Sequence, residues 1–146
     1  EDIVVFGKRK NTYNPIMTIG KARKDGKNTK NGEAFNGKEK IKREYNNNGL
    51  YYPKSIIEIG NGSEKRLNKK FHPTQKPVAL FEYLIKTYTN EWDTVLDNCA
   101  GSGTTAIACI NTKRNYILIE KEQEYIDIIN KRIQDRIIQS ENSLFV

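Results

Sequence analysis

Two carboxylates, each at the end of an apolar run, are the side chains best placed to do chemistry in this 146-residue sequence. Asp97 ends the first run, and the turn Gly101-Ser-Gly103 follows it, whereas Glu120 ends the second run. Glycines in a turn let a ligand approach the backbone with no Cβ in the way. A carboxylate at the end of the second strand can accept hydrogen bonds from both hydroxyls of a ribose. This pattern predicts a site for the adenosyl half of a cofactor.

Alternating strands and helices must position these residues. The pattern of apolar residues, glycines and prolines predicts a helix from Pro77 to about Thr89, a short buried strand at Thr94–Asp97, a helix at Thr104–Asn111, a strand at Asn115–Glu120 and a helix through Tyr125–Ile137. Strands and helices that alternate at these lengths form βαβ units with a parallel sheet. The predicted fold class is therefore α/β, a partial Rossmann-like fold. Since ligands bind beyond the carboxyl ends of parallel strands, Asp97, Asn98 and Glu120 are expected at one edge.

The residues of the turn are compatible with more than one ligand. The run Gly101–Ala106 matches G-x-G-x-x-[GA], the pattern of dinucleotide sites, which is a weak signal when it stands alone. A P-loop is excluded, because no Gly-Lys-Ser/Thr follows the turn. A carboxylate at Asp97 would repel a pyrophosphate but suits the ammonium and sulfonium groups of S-adenosylmethionine. S-adenosylmethionine, a nicotinamide dinucleotide and a turn that only makes the bend all remain as interpretations.

A polar segment just before the first of the predicted helices helps to choose between these ligands. It reads His-Pro-Thr-Gln-Lys-Pro and ends at Pro77, and it is followed by Asp-Asn-Cys-Ala-Gly-Ser-Gly-Thr-Thr and then by Tyr-Ile-Leu-Ile-Glu. These three elements, in this order, resemble the DNA amino-methyltransferases, which use S-adenosylmethionine to methylate adenine N6 or cytosine N4. The motifs cover about residues 71–130. The order is similar to the class in which the catalytic half and the target-recognition region precede the cofactor half.

The resemblance implies a role for each matching residue and adenine N6 as the acceptor. The implied cofactor-binding residues are His72, Thr74, Gln75, Lys76, Asp97, Asn98, Cys99, Gly101, Ser102, Gly103, Thr104 and Glu120. The residues before Pro77 would flank S-adenosylmethionine. Asp97 and the turn Cys99–Gly103 would hold its methionine part, and Glu120 would accept hydrogen bonds from the ribose hydroxyls.

Positive charge is concentrated in the first half of the chain. Residues 1–70 carry 17 Lys and Arg against 8 Asp and Glu, whereas residues 71–146 carry 8 against 10. One interpretation is a surface that contacts the phosphates of double-stranded DNA; the other is a solvated, lysine-rich surface. The resemblance favours DNA, because it puts target recognition there. We therefore predict an end strand of the catalytic half at 1–10, a basic target-recognition segment at 11–70, the cofactor unit at 71–140 and a tail at 141–146.

The catalytic motif of the family, Asp/Asn/Ser-Pro-Pro-Tyr/Phe, has no counterpart in this sequence. There is no Pro-Pro pair, and Asn14-Pro15-Ile16 is the nearest string. We therefore predict that no residue of this chain is catalytic. We also expect the chain to be a piece of a longer protein, inactive alone and completed by an N-terminal catalytic half or another chain. A non-catalytic nucleic-acid-binding fragment and, more weakly, an NAD-dependent enzyme remain alternatives.

The remaining expectations concern the cellular setting. The sequence contains neither a CxxC pair nor a Cys/His cluster, so no metal site is predicted. Cys99 and Cys109 are interpreted as reduced, partly buried thiols of a cytoplasmic protein. No run approaches the ~20 apolar residues of a membrane-spanning helix. A parallel sheet of two or three strands has open edges. We therefore predict that the isolated chain is either marginally stable or completed by another chain, for which a homodimer partner is one candidate.

Overall fold

A computed structural model of the chain describes residues 2–8, 10–21, 49–60 and 75–142. The chain divides into two compact units, one formed by residues 1–14 with 56–146 and the other by residues 15–55. Much of the predicted target-recognition segment, at 22–48 and 61–70, lies outside the described residues.

The smaller unit contains a short antiparallel hairpin. Strand β1 (Thr18–Ile19) pairs with strand β2 (Leu50–Tyr51), with Thr18 opposite Tyr51. The Tyr51 hydroxyl donates a hydrogen bond to the carbonyl oxygen of Lys21 at 2.7 Å, and so fastens the strand ends together.

The larger unit contains the predicted alternation of helices and strands. In chain order it consists of α1 (Val78–Tyr88), β3 (Thr94–Asp97), α2 (Thr104–Thr112), β4 (Asn115–Leu118) and α3 (Gln123–Asn142). Strands β3 and β4 run parallel, with Asp97 opposite Leu118. The α/β class and the parallel βαβ unit are therefore confirmed. No helix in the described part of the chain is long and apolar enough to cross a membrane.

A proline precedes helix α1, and hydrogen bonds from Asn14 cap its C-terminal end. Pro77 has an extended backbone (φ −60°, ψ 135°) and lacks an N–H, so it suits the position just before the helix. At the other end, the Asn14 side-chain amide donates to the Thr89 carbonyl oxygen at 3.0 Å. The Asn14 backbone N–H donates to the Thr87 carbonyl oxygen at 2.7 Å. These bonds satisfy carbonyl groups that the last helical turn leaves without partners.

Helix α2 carries small side chains that let it pack closely on its neighbours. Ala108 and Cys109 are fully buried and contact Ile85 of α1, while Val95 and Tyr116 pack against this cluster from the sheet. Burial raises the pKa of the Cys109 thiol to about 11, so the side chain is a neutral part of the core. Cys99, by contrast, is exposed. The prediction of partial burial is therefore wrong for both thiols.

The prediction that the first parallel strand is buried is wrong. Leu96 is 62% exposed and Ile117 on the neighbouring strand is 54% exposed. Side chains alternate across a sheet, and the core cluster covers only the face that carries Val95 and Tyr116. Parallel sheets are normally covered on both faces. Within the described ranges the opposite face is open, which explains why a run of apolar residues does not end up buried.

The end strand predicted at 1–10 has its apolar residues at Ile3–Phe6, and no strand forms there. The stretch has no strand geometry, and Val4 and Phe6 are 67% and 88% exposed. Strand propensity reflects how well a side chain fits a paired, half-buried surface rather than a preference of the backbone alone. In the described ranges, the pairs β1–β2 and β3–β4 account for all strand pairing, so this stretch lacks the neighbour it would need.

Candidate functional site

The turn between β3 and α2 requires glycine at two positions. Gly101 has a φ of 52° and Gly103 a φ of 75°, both in the left-handed region that favours glycine. The Gly103 N–H donates to the Ala100 carbonyl oxygen at 2.8 Å and closes the turn. A Cβ at Gly103 would lie 2.8 Å from Cγ1 of Ile129 on α3. Gly103 is therefore needed for the bend and for the close approach of α3.

Asp97, the last residue of β3, fixes the start of α2. Its Oδ1 accepts a hydrogen bond from the Cys99 N–H at 3.0 Å, and its Oδ2 accepts one from the hydroxyl of Thr105, which is only 2% exposed. The carboxylate thus lies at the N-terminus of a helix, where the helix dipole stabilises a negative charge. The Asp97 carboxylate therefore occupies the position in which a dinucleotide site holds a phosphate of the ligand.

Glu120 connects the end of β4 to the turn after β3. Its Oε2 accepts the Gly101 N–H at 2.7 Å, and its Oε1 accepts the N–H groups of Lys121 at 2.9 Å and Glu122 at 3.2 Å. Three backbone amides therefore orient this carboxylate.

A cavity of about 540 Å³ lies at the carboxyl ends of β3 and β4, within the range of ~300–1,000 Å³ that small-ligand pockets occupy. Three carboxylates (Asp97, Glu120 and Glu122) and two ammonium groups (Lys76 and Lys121) line it. The apolar part of its wall comes from Phe81, Ile119 and Tyr125. The lining therefore suits a ligand that combines an apolar ring with charges of both signs.

Most residues predicted for the site come together at this cavity. The predicted residues that line it are Gln75, Lys76, Asp97, Asn98, Cys99, Gly101, Ser102, Thr104 and Glu120. Gly103 is buried behind the lining, against α3. His72 and Thr74 lie outside the described residues.

The sequence analysis missed a further group of lining residues. They are Phe81, Thr105, Ile119, Lys121, Glu122 and Tyr125. Several of them directly follow the ends of the two parallel strands, a position that could have identified them. Phe81 and Tyr125 lie on helix faces, where an aromatic residue is ordinarily assigned to the core.

The sequence is similar to those of known proteins. A family model described as DNA methylase matches residues 1–131. The chain is similar to the Type II methyltransferase M.HpaI of Haemophilus parainfluenzae, with 38% identity over 95 residues, which are 65% of this chain and 30% of that protein. It is also similar to the Type II methyltransferase M.BglI of Bacillus subtilis, with 48% identity over 63 residues, 43% of this chain and 18% of that protein.

Among solved structures, the chain is similar to the M1.HpyAVI–SAM complex, with 52% identity over 44% of this chain and 32% of that chain, and a TM-score of 0.43. The chain therefore spans less than a third of the length of these relatives. The family model, in contrast, accounts for nearly the whole sequence. The chain belongs to the DNA methylase family.

Proposed function

We propose that the cavity binds S-adenosylmethionine and that the chain is the cofactor-binding and target-recognition part of a site-specific DNA methyltransferase. The methyl acceptor is an exocyclic amine of DNA, adenine N6 by the resemblance. The observation that carries this proposal is the pair of carboxylates, Asp97 and Glu120, held on either side of the glycine turn at one cavity. The names of the relatives, Type II methyltransferases, support it.

The charge of the site favours S-adenosylmethionine over a dinucleotide. Asp97 lies at the N-terminus of α2, where dinucleotide sites hold a pyrophosphate, and a second negative charge there would be repelled. The ammonium and sulfonium of the methionine part are attracted instead. Its carboxylate would pair with the ammonium groups of Lys76 and Lys121, which also line the cavity; the Lys121 ammonium lies 3.3 Å from Glu122 Oε1. The bound cofactor supplies an electrophilic methyl group on its sulfonium.

Other lining residues of the cavity suit an adenosine. Glu120 is oriented by three backbone amides and would accept the ribose hydroxyls. Phe81, Ile119 and Tyr125 offer the apolar and aromatic surface on which an adenine packs. Gln75 and Lys76, with His72 and Thr74, would flank the cofactor, as the resemblance implies.

The basic segment at 11–70 would contact the phosphates of double-stranded DNA. Its excess of Lys and Arg provides affinity that falls steeply as the salt concentration rises. A cytoplasmic location and a homodimer stay predictions from the sequence.

Calorimetry with S-adenosylmethionine tests the cofactor assignment. We expect the chain to bind S-adenosylmethionine more tightly than NADH, and we expect Glu120→Gln to weaken binding about tenfold. The amide keeps the size of the side chain but loses the charge, and its NH₂ group cannot accept a hydrogen bond from an N–H or a ribose hydroxyl. A charge-assisted hydrogen bond of this kind contributes about 1.5–3 kcal/mol.

Glu124→Gln is the matched control, because Glu124 is an exposed acidic residue in the first turn of α3 and does not line the cavity. It should bind S-adenosylmethionine like the parent chain. An absence of binding heat from folded parent protein would contradict the proposal and favour the non-catalytic fragment. Comparable binding of NADH would favour the nicotinamide enzyme.

Methyl transfer tests the second part of the proposal. Tritiated methyl groups should reach DNA only when this chain is combined with an N-terminal half that carries the Asp/Asn/Ser-Pro-Pro-Tyr/Phe motif, because the motif is absent here. The same N-terminal half with the motif aromatic changed to Ala serves as the control. Transfer by the chain alone would contradict the predicted inactivity. If the combined halves bind S-adenosylmethionine but transfer no methyl group, the assigned activity is wrong.

A further inference from the structure

Ser102, in the middle of the glycine turn, is joined to side chains from two other elements. It is only 4% exposed. Its Oγ lies 3.2 Å from Oε1 of Gln75, just before α1, and 3.1 Å from Nη1 of Arg132 on α3. The same Nη1 donates to the Ser102 carbonyl oxygen at 2.5 Å. One guanidinium nitrogen therefore holds both the backbone and the side chain of the turn.

Ser102 both accepts and donates a hydrogen bond in this arrangement. A guanidinium only donates, so the Ser102 Oγ accepts from Arg132. The hydroxyl in turn donates its proton to Oε1 of Gln75. Arg132 and Gln75 are thus linked through a single hydroxyl group of the turn.

Arg132 acts from outside the cavity. It is absent from the lining residues, whereas Gln75 and Ser102 are among them. Ile129, one helical turn earlier on α3, contacts the position of Gly103 from the same side. Helix α3 therefore supports the turn at two adjacent points, by packing at Gly103 and by hydrogen bonding at Ser102.

We propose that Arg132 is a positioning residue for the cofactor: through Ser102 it holds the glycine turn and Gln75 in the arrangement that binds the ligand. This inference rests on the proposed function, since it takes the ligand of the cavity to be S-adenosylmethionine. Arg132 does not touch the ligand. Its contribution is a turn that is already ordered before binding, which spares the ligand the entropy of ordering it.

The first test measures S-adenosylmethionine affinity of the full chain by calorimetry, below the melting temperature of every variant. Arg132→Met should bind about tenfold more weakly, because it loses two hydrogen bonds from a charged donor. Arg132→Lys should recover most of the affinity, because a single ammonium can replace the one nitrogen that makes both bonds. A merely structural loss of packing would not be rescued in this way.

Arg136→Met is the matched control. Arg136 lies one turn further along α3 and bonds to Asn111 of α2 rather than to the turn, so its removal should leave the affinity unchanged. If Arg132→Met fails to fold, Ser102→Ala, which removes only the side-chain link, should still weaken binding. Equal affinities for the parent chain and Arg132→Met or Ser102→Ala, or equal losses in Arg132→Met and Arg136→Met, would overturn the inference.

The second test needs no ligand. Amide hydrogen exchange at Gly101 and Gly103 should be about tenfold faster in Arg132→Met than in the parent chain, and unchanged in Arg136→Met. Should the parent chain fail to bind S-adenosylmethionine, the proposed function fails, and this exchange measurement still decides whether Arg132 orders the turn. Unchanged exchange in Arg132→Met would refute the positioning role whatever the ligand is.

Discussion

Replacing Gly103 by alanine is expected to lower the free energy of unfolding by about 2–5 kcal/mol, as measured by urea denaturation. Two effects add. The backbone at Gly103 has a φ of 75°, and placing a Cβ in the left-handed region costs about 1–2 kcal/mol. The new Cβ would also lie 2.8 Å from Ile129 Cγ1, and overpacking of a close contact costs about 1–3 kcal/mol.

A double-mutant cycle with Ile129→Ala separates the two effects. In the Ile129→Ala background the crowding is relieved, so Gly103→Ala should there lower the free energy of unfolding only by the backbone contribution, about 1–2 kcal/mol. The difference between the two backgrounds measures how firmly α3 presses on the turn. If Gly103→Ala has the same effect in both backgrounds, α3 does not restrain the turn in solution. That result would also contradict the packing contact between Ile129 and Gly103 that supports the inference about Arg132.

The βαβ unit could be predicted because its signals are local. Glycines and a proline mark the ends of short apolar runs, and strand β3 forms at the predicted residues, Thr94–Asp97. Once two strands are parallel, the residues after their carboxyl ends must meet at one edge. That rule was enough to bring Asp97 and Glu120 to a common cavity from sequence alone.

Features that depend on distant partners could not be predicted. Ile3–Phe6 has the composition of a strand but no strand beside it among the described residues, and Leu96 is apolar but lies on an uncovered face. Arg132 was missed for a related reason. An arginine on an amphipathic helix ordinarily indicates a solvated surface, and only the packing of α3 against the turn brings it to Ser102.

The role of Asp97 is also broader than the sequence suggested. Its carboxylate holds the turn through the Cys99 N–H and the Thr105 hydroxyl. Removal of the whole side chain would therefore disturb the fold and the ligand site together, and a loss of binding in Asp97→Ala could not be assigned to charge. A substitution that keeps these hydrogen bonds is needed to isolate the electrostatic contribution.

Asp97→Asn is such a substitution, and it should weaken S-adenosylmethionine binding by on the order of a hundredfold, the upper range for loss of a hydrogen bond to a charged group. The asparagine oxygen can still accept the Cys99 N–H, and its NH₂ group can donate to the Thr105 oxygen, so the turn keeps its connections. Only the negative charge that attracts the ammonium and sulfonium is lost. Calorimetry at a temperature where the variant is folded measures the change.

Two comparisons assign the loss to charge. Asp93→Asn makes the same charge change at an exposed position just before β3 and outside the cavity lining, so its affinity should match that of the parent chain. A neutral ligand, 5′-methylthioadenosine, has the adenosine but neither the ammonium nor the sulfonium, so Asp97→Asn should leave its affinity nearly unchanged. An equal loss for both ligands would mean that Asp97 acts through the shape of the turn. The electrostatic reason for preferring S-adenosylmethionine over a dinucleotide would then no longer hold.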